Sequence, residues 1–228
     1  MTEQAHPQRG LAGAFALCAL ATLVLLASHP APAARGLVEL LQAEARDRLR
    51  DALVHGGFIA TLSVLIVCFA LLSRRLGAAR VPVVAALVMF SLGCELVILS
   101  MIIDGFAVPA IATRFSGAVE PGELGSAETL LILCGTLIRF LLPAGLLFQA
   151  VAIACWSALM VRDGGRPRAV GVLGVTTAAF LGAVIVAVPP PLGPHLLLGG
   201  IVLQSVWYFG IAALLLDRSG WPAAPSRS

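Results

Sequence analysis

Apolar residues fall along this chain in six long runs: Leu11 to Ala27, Leu53 to Leu72, Val83 to Ile103, Leu130 to Val161, Val170 to Val188 and Leu196 to Leu216. The shortest has 17 residues. A helix rises about 1.5 Å per residue and the hydrocarbon core of a bilayer is roughly 30 Å thick, so each run is long enough to cross one. The pattern predicts an all-α polytopic membrane helix bundle of six transmembrane helices, a single integral membrane domain over residues 1–228. Arg9 before the first run and Ala31-Pro32-Ala33 after it also fit a signal peptide covering residues 1–33. Cleavage before Ala34 would leave five spans.

Between the first two runs the pattern changes. Leu37, Leu41, Ala45, Leu49 and Leu53 recur every four residues, with Glu39, Glu44, Asp47, Arg48 and Asp51 on the remaining faces. That spacing predicts an amphipathic helix over residues 35–51, lying along the outer membrane surface and turning into the second span at Gly56-Gly57. The third and fourth runs are too long for the bilayer. The third continues past Asp104 to Ala112, and the fourth covers 32 residues, which is roughly 48 Å of helix. They predict a hairpin raised above the outer surface, with its extension and loop over residues 104–129. Pro109 and Pro143 are its bend sites, since neither can donate a backbone hydrogen bond. Trp156 reads as an interfacial anchor near the inner end, and residues 221–228 as a disordered tail.

Composition narrows the function classes. The chain is 59% hydrophobic and 12% charged, about half the charge of a soluble domain, with a mean hydropathy of +0.98; a soluble enzyme is excluded. All 15 basic residues are arginines, so Schiff-base and P-loop lysine chemistry is excluded as well. The arginines sit in short connections rather than on a basic, aromatic surface, which argues against nucleic acid as a partner and for the lipid bilayer. With the N-terminus inside, nine arginines lie on the cytoplasmic side and five outside. This predicts a bacterial inner-membrane protein with both termini cytoplasmic. The five cysteines stand in apolar runs without C-x-x-C spacing and read as small packing residues. No G-x-S-x-G, zinc-protease or dinucleotide motif occurs, so no catalytic machinery is recognisable.

Polar residues within the spans carry the functional hypotheses, because each is costly in hydrocarbon. Counting the helical rise from the inner ends sorts them by depth. Glu95, Gln149 and Gln204 form a central layer, whereas His29, His55, Asp104, Arg139 and His195 reach the outer rim. His55, Asp104, Arg139 and His195 are the candidate ligand-binding residues, with Asp104 and Arg139 expected to pair across the hairpin. His29, His55 and His195 are candidate metal ligands, for a transition metal or, as paired axial histidines, a haem. Three functions follow from these residues. The first is a small-ligand or redox/metal pocket at the outer, periplasmic rim. The second is proton- or cation-coupled transport through Glu95, expected to face inward beside Gln149 or Gln204. The third is an accessory subunit that meets a membrane or periplasmic protein partner.

Overall fold

The computed structural model describes residues 5–29, 35–187 and 194–217, with side chains from residue 8 onward in the first stretch and from 198 in the last. The described residues form helices and short connections, with no strand. In order these are α1 (Ala5–Ala27), α2 (Leu37–Gly77), α3 (Val81–Ile102), a π turn (Ile103–Ala107), α4 (Val108–Phe115), α5 (Pro121–Asp163), α6 (Gly165–Ala187) and α7 (Pro194–Leu216). Among the described residues, six helices are long and apolar enough to cross a membrane, with α3, the π turn and α4 acting as one of them. The tail at residues 221–228, the Ala34 junction and Val188 at the end of the fifth apolar run lie outside the described residues.

Neighbours in the bundle follow chain order: α1 packs on α2, α2 on α3, α3 on α5, α5 on α6, α6 on α7, and α7 back on α1. Glycines set the closest approaches. A Cβ on Gly93 would lie 2.7 Å from the Gly145 carbonyl oxygen, and one on Gly145 would lie 2.7 Å from that of Gly93, so α3 and α5 touch through bare backbone. Gly171 meets the Ser157 backbone across α5 and α6 in the same way.

At the end bearing Arg74, Arg75 and Arg162 the ring of helices is filled by aromatic side chains. Phe69 of α2 stands at their centre, with ring centroids 5.0 Å from Phe15, 4.3 Å from Phe90, 4.4 Å from Trp156 and 5.6 Å from Trp207. Trp156 is therefore not an interfacial anchor. It is fully buried, stacks on Phe69 and donates its indole N–H to the Ser73 hydroxyl at 3.1 Å. The indole's one polar atom finds its partner inside the bundle and needs no water.

At the opposite end α2, α4 and α5 project beyond the other helices. The amphipathic stretch forms, but as the first part of an unbroken 41-residue α2 rather than a separate helix, and the expected turn at Gly56-Gly57 is absent. Those glycines serve packing instead. A Cβ on Gly57 would lie 2.7 Å from Leu25 of α1, and Gly56 faces Phe106. Only the first part of the stripe packs sideways: Leu41 is buried with Ala112 of α4 and Ala127 of α5, flanked by Leu37, Ala45, Phe115 and Leu124, whereas Leu49 and Leu53 are exposed. The second arm of this projection begins at Pro121, so much of the expected loop is helix.

Candidate functional site

The site is built where the projection meets the ring. Ile103 to Ala107 form a π turn, closed by the Val108 N–H bonding to the Ile103 carbonyl. Pro109 just beyond has no N–H to continue the regular ladder, and π turns of this kind recur where a helix re-aims a side chain. Here the turn brings Asp104 and Gly105 onto α2. A Cβ on Gly105 would lie 2.3 Å from the His55 Cβ and 2.8 Å from its Nδ1, so the imidazole lies directly on bare backbone.

His55 is buried, with 1% of its surface exposed. Its Nδ1 faces the Asp51 carbonyl at 2.9 Å and its Nε2 faces Asp104 Oδ2 at 3.1 Å. A carbonyl only accepts, so Nδ1 carries a hydrogen. His29 approaches from α1, with Nε2 3.9 Å from the same Asp104 oxygen and its ring edge-on to His55 at 4.9 Å between centroids. Its position is fixed by Arg50, whose Nε and Nη2 donate to the Ser28 carbonyl at 3.2 and 3.0 Å. That guanidinium caps the end of α1, where unpaired carbonyls and the helix dipole favour a cation. Asp51 is buried, and its Oδ2 has no hydrogen-bond donor among the described residues. The Glu44 carboxyl stands beside it.

Below this cluster lies a cavity of about 350 Å³. Five helices line it at three- and four-residue spacings, for example Thr22 and Leu26 on α1, Val97 and Met101 on α3, and Leu142 and Leu146 on α5. His29 and Asp104 border one end; Gln149, Gln204 and Tyr208 border the other. Between those levels α5 advances from Ile138 to Gln149, which is about 16 Å along the axis. Gln204 donates from Nε2 to Gln149 Oε1 at 2.9 Å and to the Tyr208 hydroxyl, while Gln149 reaches Cys94 Sγ at 3.7 Å. The amide pair joins α5 to α7, whose backbones do not come close to each other among the described residues. Phe69, one turn past the cavity residue Leu65, begins the aromatic plug.

The structure thus brings together His29, His55 and Asp104 at the rim, and Gln149 with Gln204 in the centre. It does not add Glu95 to the central pair: Cys94 turns inward and Glu95 is exposed on the outer face of α3. On a straight helix neighbouring residues point 100° apart, so the two cannot both face the cavity. Nor does Asp104 take Arg139 as its ion-pair partner. Its carboxylate faces the two histidines, and Arg139 is exposed on α5. The His195 backbone lies in the first turn of α7, and its side chain lies outside those described. Arg50, Asp51, Gly105 and Tyr208 complete the site without having been singled out in the sequence. Only Arg50 and Asp51 gave a signal, as the charges nearest His55 in the chain.

No protein-family model, curated protein or solved structure matches the chain.

Proposed function

We propose that this chain is an integral membrane protein that binds a small amphiphilic organic molecule within its helix bundle, entering at the rim formed by His29, His55 and Asp104. The apolar helical bundle is consistent with membrane residence. One observation carries the rest: a 350 Å³ cavity with apolar walls and hydrogen-bonding groups at both ends. Small-molecule sites have this composition and size, with apolar surface for affinity and a few polar groups for orientation. The inner end is neutral. Gln149, Gln204 and Tyr208 suit a hydroxyl or carbonyl oxygen on the ligand, and the Tyr208 proton has no acceptor among the described residues. By the arginine distribution the rim faces outward and both termini face the cytoplasm of a bacterial inner membrane.

The test is extraction. Protein purified into lipid nanodiscs should retain a small amphiphilic molecule detectable by mass spectrometry at near one per chain, and Leu142→Trp, which fills the cavity, should release it. Equal retention by both proteins contradicts the reading.

A second reading, attachment of a partner protein, draws on the outer part of α5, where Ile132 and Leu133 are 62% and 54% exposed near the level of Asp104. Apolar side chains exposed outside hydrocarbon mark contact surfaces. A photo-crosslinking residue at position 132 should yield a discrete heavier species in cells; none forming rejects a partner there. Transport coupled through Glu95 lacks such support, because that carboxyl faces away from the cavity.

A further inference from the structure

We propose that His29, His55 and Asp104 bind one divalent transition-metal ion of zinc type at the mouth of the cavity. This goes beyond the organic ligand and does not depend on it. One ligand atom from each residue lies within 4.8 Å of the others, supplied from just past the end of α1, from α2 and from the π turn. The individual separations are 3.1 Å from His55 Nε2 to Asp104 Oδ2 and 3.9 Å from His29 Nε2 to the same oxygen. Zinc bonds of about 2.0–2.2 Å to nitrogen and oxygen in a tetrahedron place ligand atoms roughly 3.3–3.6 Å apart. Closing the set therefore requires His29 to move inward. That residue is 38% exposed at its side chain and follows the last turn of α1.

Two features beyond proximity point to a metal. The first is the His55 tautomer. Its Nδ1–H donates to the Asp51 backbone carbonyl, the outer contact that orients metal-binding histidines and leaves the Nε2 lone pair for the ion. A neutral ring held this way would point that lone pair at a carboxylate oxygen 3.1 Å off, a repulsive arrangement unless a positive centre lies between them. A proton or a metal ion supplies it. The second is the surplus of carboxyl groups. Asp51 is 5% exposed with Oδ2 lacking a donor, and Glu44 and Asp104 stand close to it; the Arg50 guanidinium is turned to the Ser28 carbonyl. An ion held by two imidazoles and one carboxylate offsets that negative charge. Three protein ligands leave a coordination position open, and both His29 and Asp104 border the cavity, so a ligand oxygen or water from the cavity can fill it.

The experiment is calorimetric titration of the chelator-treated full-length protein in nanodiscs with zinc chloride, repeated with cobalt chloride for its visible spectrum. Wild-type protein should bind one zinc per chain saturably, and cobalt should give a visible band of a site with nitrogen and oxygen ligands. His29→Gln and Asp104→Asn should each weaken zinc binding at least tenfold, while His6→Gln should not. Should Asp104→Asn fail to fold, His29→Gln at its half-exposed position still decides. The proposal is overturned by absence of saturable binding in the wild type, or by His29→Gln binding zinc as the wild type does; His55 and Asp104 are then a protonated imidazolium–carboxylate pair. Organic-ligand retention in a protein that binds no zinc would overturn this inference alone, and zinc binding with an empty cavity would overturn only the preceding one.

Discussion

The rim site depends on residues chosen for what they lack or for what they hold in place. Gly105 is the sharpest case, because any Cβ there would meet the His55 ring within 2.8 Å. Gly105→Ala should destabilise the protein by roughly 1–3 kcal/mol, the usual cost of overpacking, and should weaken zinc binding. A thermal midpoint unchanged from the wild type would show that His55 is not held against that backbone. Arg50 holds rather than binds: its guanidinium clamps the Ser28 carbonyl and so sets the height of His29. In the centre, Gln149 and Gln204 act as one unit. Their single leucine substitutions should each cost stability, with the double substitution costing less than the sum, since removing one partner leaves a buried amide unpaired. Additive losses in a double-mutant cycle would separate them.

At the scale of elements, the helices were legible in the sequence and their facing directions were not. Length and hydropathy suffice to find six spans, and the helical rise alone placed His29, His55 and Asp104 at one level. Height is only one coordinate. α3 carries only Ser91, Glu95 and Ser100 among its apolar residues, too few to mark its inner side, and the inward row Phe90, Cys94, Val97, Met101 and Asp104 emerges only from its packing. Glu95 was for that reason expected on the wrong face. Likewise α2 was expected to turn at Gly56-Gly57, because two glycines that serve close approach look the same in sequence as two that serve a bend. The contact between α3 and α5 rests on Gly93 and Gly145, whose Cβ positions would each fall 2.7 Å from the other's carbonyl. Gly145→Leu should therefore separate these helices and abolish folding in detergent, whereas Gly135→Leu, with open space around it, should melt like the wild type. Equal behaviour of the two would remove the backbone contact from the account.

As a whole the molecule is a ring of helices closed by aromatic side chains at one end and hollow towards the other, with a three-helix projection standing over the hollow end. Phe69 touches aromatic residues from four other helices, and Phe69→Ala should cost roughly 3–5 kcal/mol, as for other large core truncations. Orientation is tested separately: alkaline phosphatase fused after Gly117 should be active, and fused after Arg80 or Arg166 inactive. The reverse would place the cavity mouth on the cytoplasmic side without altering its chemistry. The central claim is that the hollow is a ligand site. It is tested most directly by an experimental density map of the protein taken from its native membrane with its lipids. The account predicts continuous non-protein density between Asp104 and Gln204, flanked by Met101 and Leu142. A cavity collapsed onto its own side chains, with Leu62, Val97 and Leu146 in mutual contact and no room for a ligand, would contradict it.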